Sequence, residues 1–191
     1  MCLFIRSVFT DITLKQPYNN HRYKRTNDKG DWAKMRKDFV FHLYNVEHDH
    51  FMNLMAKCPE GQRMAIPEGF NTSLYWHLGH VLLITEFHVF GLSQQTLTLP
   101  ETYKDLFFYG TKATEWKNEQ LAQLPAWDTM IAQLKEQREY IYNTLKDRLE
   151  EPVPENFKKA ENYGELILTT AAHLSNHNGV VAAMLQVLQQ K

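Results

Sequence analysis

Leu74-Tyr75-Trp76-His77-Leu78-Gly79-His80-Val81-Leu82-Leu83-Ile84-Thr85-Glu86-Phe87 is the stretch that decides the fold. At the helical period of about 3.6 residues, Trp76, His80, Leu83, Ile84 and Phe87 fall on one stripe. His80 is therefore set in an apolar face. Thr72 or Ser73 can cap the first amides of this helix, and Gly91 closes it just after Phe90.

Three more helices follow from the same period on either side. Residues 36–56 place Phe39, Leu43, Val46, Phe51 and Leu54 at near-helical spacing, and Pro59-Glu60-Gly61 ends the run. Residues 128–150 direct Met130, Ile131, Leu134, Ile141, Leu145 and Leu149 inward, and Pro152 and Pro154 stop them. Residues 160–189 carry a stripe of Leu166, Thr170, His173, His177, Val181, Met184 and Leu188. No strand-like alternation of useful length occurs. Four helices of about 20 residues are roughly 30 Å long, so the expectation is an all-α four-helix bundle. The connection over 91–127 is long enough to cross the whole bundle and lets the second and third helices run parallel. Loops of that length usually function or cover something.

Composition narrows the class. The 191 residues include 21 basic and 22 acidic side chains, a net charge of -1. That balance gives no reason to expect nucleic acid or an anionic membrane as partner. No apolar run approaches the roughly 18 residues of a membrane span. Cys2 and Cys58 lack metal-ligand or redox spacing. Arg6 interrupts the opening apolar residues too early for a secretion signal. A cytoplasmic protein is expected on these grounds. Residues 1–34 are basic, polar and without sustained period, and read as a weakly ordered extension preceding a bundle over 35–191.

The chemistry rests with histidines. His173 and His177, four residues apart, differ by about 40° around their helix and about 6 Å along it. Two imidazoles so placed can chelate one ion, and bundle interiors assemble such sites from facing helices. His80 is the best third ligand. A core-facing imidazole must be desolvated and then needs a partner. One has a bland explanation, as a core histidine bonded to a neighbour. Three on the inward stripes of two helices are harder to satisfy without a common ion. His77 points about 60° away from His80 and reads as a boundary residue, with a spare ligand or a supporting hydrogen bond to a ligand as the alternatives. His42, His48 and His50 have the same status, and His88 reads as solvated. Glu86 lies about 240° from His80 and should not reach the same ion. Thr170 more often bonds its own helix than a substrate. The aromatic residues Phe39, Phe51, Trp76 and Phe87 read as core. No phosphate loop, nucleophile elbow or cysteine–histidine signature occurs.

Asn71-Thr72-Ser73-Leu74-Tyr75-Trp76-His77-Leu78-Gly79-His80 resembles the second-helix motif of DinB-like proteins, in which a Trp precedes a His by four residues. His173-Leu174-Ser175-Asn176-His177-Asn178-Gly179 resembles their fourth-helix motif, His-x-x-x-His-x-Gly, and Leu106-Phe107-Phe108-Tyr109-Gly110-Thr111 their Phe-rich segment after helix 2. The resemblance spans about residues 35–190. It implies a bundle in up-down-down-up order, often dimeric, with metal ligands at His80, His173 and His177 and zinc or nickel as the ion. It also implies, for some members, transfer of a low-molecular-weight thiol to an electrophile. Val180 departs from the glutamine frequent in relatives, so any role of that position does not carry over. Three neutral imidazoles leave coordination positions open, the pattern of a catalytic site, and suit several metals. Metal-dependent hydrolysis and non-catalytic metal binding in a stress response are the alternatives. The sequence assigns no catalytic residue.

Overall fold

A computed structural model of the chain describes residues 36–189. The extension expected over 1–34 lies outside them. The described residues are helical and contain no strand, in agreement with the all-α reading. Four long helices carry the core: α1 (Lys37–Ala56), α2 (Leu74–Glu86), α5 (Trp127–Leu145) and α6 (Tyr163–Gln189). Two short ones, α3 (Thr102–Phe107) and α4 (Asn118–Leu121), lie in the long connection after α2.

Local chemistry sets the helix ends. Ser73 caps α2, its Oγ accepting from the Trp76 amide at 3.2 Å. A single π turn, Phe87–Gly91, extends α2, with the Leu92 amide bonded to the Phe87 carbonyl. At the start of α6, Asn162 Oδ1 accepts from the Glu165 amide while the Glu165 carboxylate takes Asn162 Nδ2 and the Glu161 amide. This reciprocal box satisfies several donors that a helix N-terminus leaves open.

α2 is the central element, since every residue from Leu74 to Glu86 is buried. A helix apolar all round belongs inside a protein rather than at its surface, and Val81-Leu82-Leu83-Ile84 covers all faces of one turn. α6 packs along α1 and against α2, and α5 packs on α2. Asn178 ties α6 to α1 by donating to the carbonyl and carboxylate of Glu47. Gln137 ties α5 to α2 by donating to the Leu82 carbonyl.

The inward face of α1 differs from the expectation. Val40, Tyr44, His48, Phe51 and Met55 form it, whereas Phe39 and Val46 are about half exposed, at 50% and 48%. Phe39 precedes Val40 by one residue, about 100° around the helix, and lands on the solvent side. The 91–127 connection is not bare loop. Its α3 lies on α2, and Phe107 is fully buried there.

Candidate metal centre

His80 stands on α2, and His173 and His177 stand on successive turns of α6. One ring nitrogen from each lies within 4.8 Å of the other two. His173 Nε2 is 3.3 Å from His80 Nε2 and 3.1 Å from His177 Nε2. His80 is buried, while the other two are half-buried.

These distances can be tested against what an ion needs. Two nitrogens each about 2.0–2.1 Å from a tetrahedral ion stand roughly 3.3–3.4 Å apart. The observed separations lie close to that value. Proton accounting points the same way. A neutral imidazole nitrogen has one position in the ring plane, holding either a hydrogen or a lone pair. The Phe107 carbonyl, 2.6 Å from His80 Nδ1, can only accept, so the proton of His80 sits on Nδ1 and its Nε2 is bare. His173 Nε2 then faces two nitrogens at once and cannot form good hydrogen bonds to both. One cation between three lone pairs satisfies all of them. The site can hold a metal ion.

Burial keeps the cluster neutral. It pushes His80 down to about 4 against the raising effect of the Phe107 carbonyl. Burial first, and then the neighbouring imidazoles, push His177 down to about 3 and His173 to about 2. Neutral imidazole is the ligating form.

The surroundings are built mostly from α2 and the long connection. The Trp76 indole stacks on the His80 ring with centroids 4.4 Å apart and planes 17° from parallel. Its Nε1–H donates to Thr111 Oγ1, and Thr111 donates to the carbonyls of Leu106 and Phe108. The turn that presents the Phe107 carbonyl is thereby fastened to α2. His77 Nδ1 lies 2.8 Å from His177 Nδ1, and its Nε2 lies 3.0 Å from Thr72 Oγ1. His88 Nε2 lies 2.7 Å from the Tyr109 hydroxyl, and the His88 ring packs edge-on to His173.

The remaining histidines sort differently from their sequence reading. His77 is 4% exposed and touches a member of the triad, so it is no boundary residue. His88, read as solvated, is 0% exposed. Both corrections have one cause, the burial of α2 on all sides. His48 is buried on the inward face of α1 against the Leu134 carbonyl of α5, and His42 and His50 are exposed. Glu86 stays away from the triad and binds the Thr98 and Leu99 amides. Thr170 bonds the Leu166 carbonyl of its own helix. Tyr109 went unremarked as a single residue; only its place in an aromatic, glycine-containing segment marked it.

The family model described as the DinB superfamily matches residues 42–181, which includes all three histidines. The chain belongs to the DinB superfamily. A solved structure titled as the conserved protein of a locus from Enterococcus faecalis shares the fold of this DinB-superfamily chain. Its TM-score is 0.54 at 13% identity, and the match covers 83% of this chain and 100% of that one. Among curated proteins none matches. No helix among the described residues of this superfamily member is long and apolar enough to cross a membrane.

Proposed function

We propose that the chain is a metal-dependent enzyme whose ion is held by His80, His173 and His177, and that it transfers a low-molecular-weight thiol to an electrophile. Three imidazoles suit several divalent ions, and zinc or nickel is the ion of this reading. The observation that carries the reading is the convergence of three imidazole nitrogens, with His173 Nε2 3.3 Å from His80 Nε2 and 3.1 Å from His177 Nε2. Three neutral ligands leave the full charge of a divalent ion uncompensated and at least one position open. When bound, such an ion acts as a Lewis acid that lowers the pKa of a thiol or water beside it.

The chain's own residues perform the rest. The Phe107 carbonyl fixes the orientation and tautomer of His80. Trp76 and the buried rings around it exclude water from the inner side. His173 and His177 are half-buried and Tyr109 beside them is 42% exposed, so the triad lies near the surface.

Hydrolysis is the less favoured alternative because it calls for a carboxylate base close by. Among the described residues no carboxylate bonds to His77, His80, His88, His173 or His177. The uncompensated charge suits an anionic thiolate as the incoming ligand. The test is conjugation of cellular thiols to a broad panel of electrophiles by zinc- and nickel-loaded protein. Metal-dependent, thiol-dependent product formation is expected. Turnover that needs metal but no thiol would instead support hydrolysis, and absence of turnover in every arm would leave metal binding without catalysis.

A further inference from the structure

His80 and His177 hold their ligand nitrogens in different ways. The acceptor facing His80 Nδ1 is a backbone carbonyl, which can only accept. The group facing His177 Nδ1 is another imidazole, Nδ1 of His77 at 2.8 Å, and that group can donate or accept. Two proton arrangements are therefore possible along the row His177–His77–Thr72. In one, His177 carries its proton on Nδ1 and donates it to His77 Nδ1, and His77 Nε2–H donates to Thr72 Oγ1 at 3.0 Å. In the other, His77 Nδ1–H donates to His177 Nδ1, Thr72 donates to His77 Nε2, and the proton of neutral His177 moves to Nε2.

The second arrangement places a hydrogen on the atom that faces His173 at 3.1 Å. It closes the ligand position. The first leaves that atom bare. A single buried side chain on α2 thus decides whether one of the three ligands on two helices is available.

We infer that His77 is a positioning residue for the metal centre, holding His177 in the Nδ1–H tautomer by accepting its hydrogen bond and anchoring its own Nε2–H on Thr72. This rests on the assignment of His80, His173 and His177 as ligands. It adds a fourth histidine that touches no ion. Acceptors of this kind orient ligating imidazoles and raise their basicity, and their loss typically weakens metal binding about 10–100-fold. The neighbouring His173 offers an internal contrast, because its Nδ1 is buried and has no hydrogen-bond partner among the described residues.

The experiment measures zinc affinity of the full-length protein by competition with a chromogenic chelator, for wild type, His77→Phe and His77→Gln. Phe keeps the bulk of the ring and removes the acceptor. Gln restores an acceptor through its side-chain oxygen. Zinc affinity should fall about 10–100-fold in His77→Phe and recover substantially in His77→Gln. In the zinc-loaded wild type, nitrogen NMR of the imidazoles should show His177 protonated on Nδ1 and His77 on Nε2. This tautomer readout does not depend on whether a variant folds. Equal zinc affinity in wild type and His77→Phe would overturn the inference while leaving the triad intact. So would a proton on His77 Nδ1 in the loaded protein. Failure of the wild type to take up zinc and cobalt would overturn the triad assignment, and this inference with it.

Discussion

His173 Nε2 lies 3.3 Å from His80 Nε2 although 93 positions of sequence separate the two residues. Neither helix alone can make that contact. It depends on how closely α6 approaches α2, and on what keeps the His80 ring turned toward α6.

Gly79 controls the second of these. A Cβ at this position would stand 2.5 Å from a ring carbon of Phe107, whose side chain is fully buried. In a helix, Gly→Ala usually gains about 1 kcal/mol. Overpacking a filled core costs about 1–3 kcal/mol, so the clash should win. Gly79→Ala is expected to lower stability by up to about 2 kcal/mol in urea unfolding. It should also weaken zinc binding, since Phe107 carries the carbonyl that His80 needs. A stabilised Gly79→Ala protein would show that the α2–α3 contact is looser than described.

His48 gives a pH dependence away from the metal centre. Burial, then the Arg138 guanidinium, hold it down to about 4, against the Leu134 carbonyl and Asp49. In the unfolded chain an imidazole titrates near 6.5. Between those values the unfolded chain binds the proton and the folded one does not. The contribution is complete above about pH 6.5 and is lost progressively as pH falls toward about 4. The gap between 6.5 and about 4 corresponds to at most roughly 3 kcal/mol. In metal-free protein, His48→Gln should flatten the decline of stability between those pH values, as measured by chemical denaturation. An unchanged slope would contradict this assignment.

Glu86 is a structural carboxylate. It accepts from the Thr98 amide at 2.7 Å, from Thr98 Oγ1 and from the Leu99 amide. Hydrogen bonds to a charged group contribute about 1.5–3 kcal/mol each, with less than full additivity. Glu86→Ala should cost about 2–4 kcal/mol and speed amide exchange at Thr98 and Leu99. Zinc affinity should stay within about threefold, because no contact joins Glu86 to the three ligands. Exchange rates at those two amides that match wild type would refute the anchoring role.

Much of this organisation was legible in the sequence. The 3.6-residue period located all four long helices. The His-x-x-x-His spacing and the apolar setting of His80 brought together the three residues whose nitrogens converge. What stayed hidden was mostly long-range. The stripe on α1 was placed through Phe39 and Val46, because large apolar side chains occur on its solvent side too. The neighbourhood of His77 and His88 escaped for a different reason. From spacing alone His77 reads as a boundary residue and His88 as solvated, yet a helix with four consecutive aliphatic residues has no outer face to offer. The contacts of Phe107, Tyr109 and Thr111 with α2 could not be read locally. They depend on the path of a long connection whose own periodicity is weak.

The central claim is tested most directly by thermal or chemical unfolding with and without zinc, in wild type, His80→Ala and His173→Ala. Zinc at about 100 times its dissociation constant should stabilise the wild type by about 2.7 kcal/mol. Both alanine variants should fold without metal and lose that increment at the same zinc concentration. A wild type indifferent to zinc and nickel, or variants stabilised as strongly as the wild type, would contradict the account.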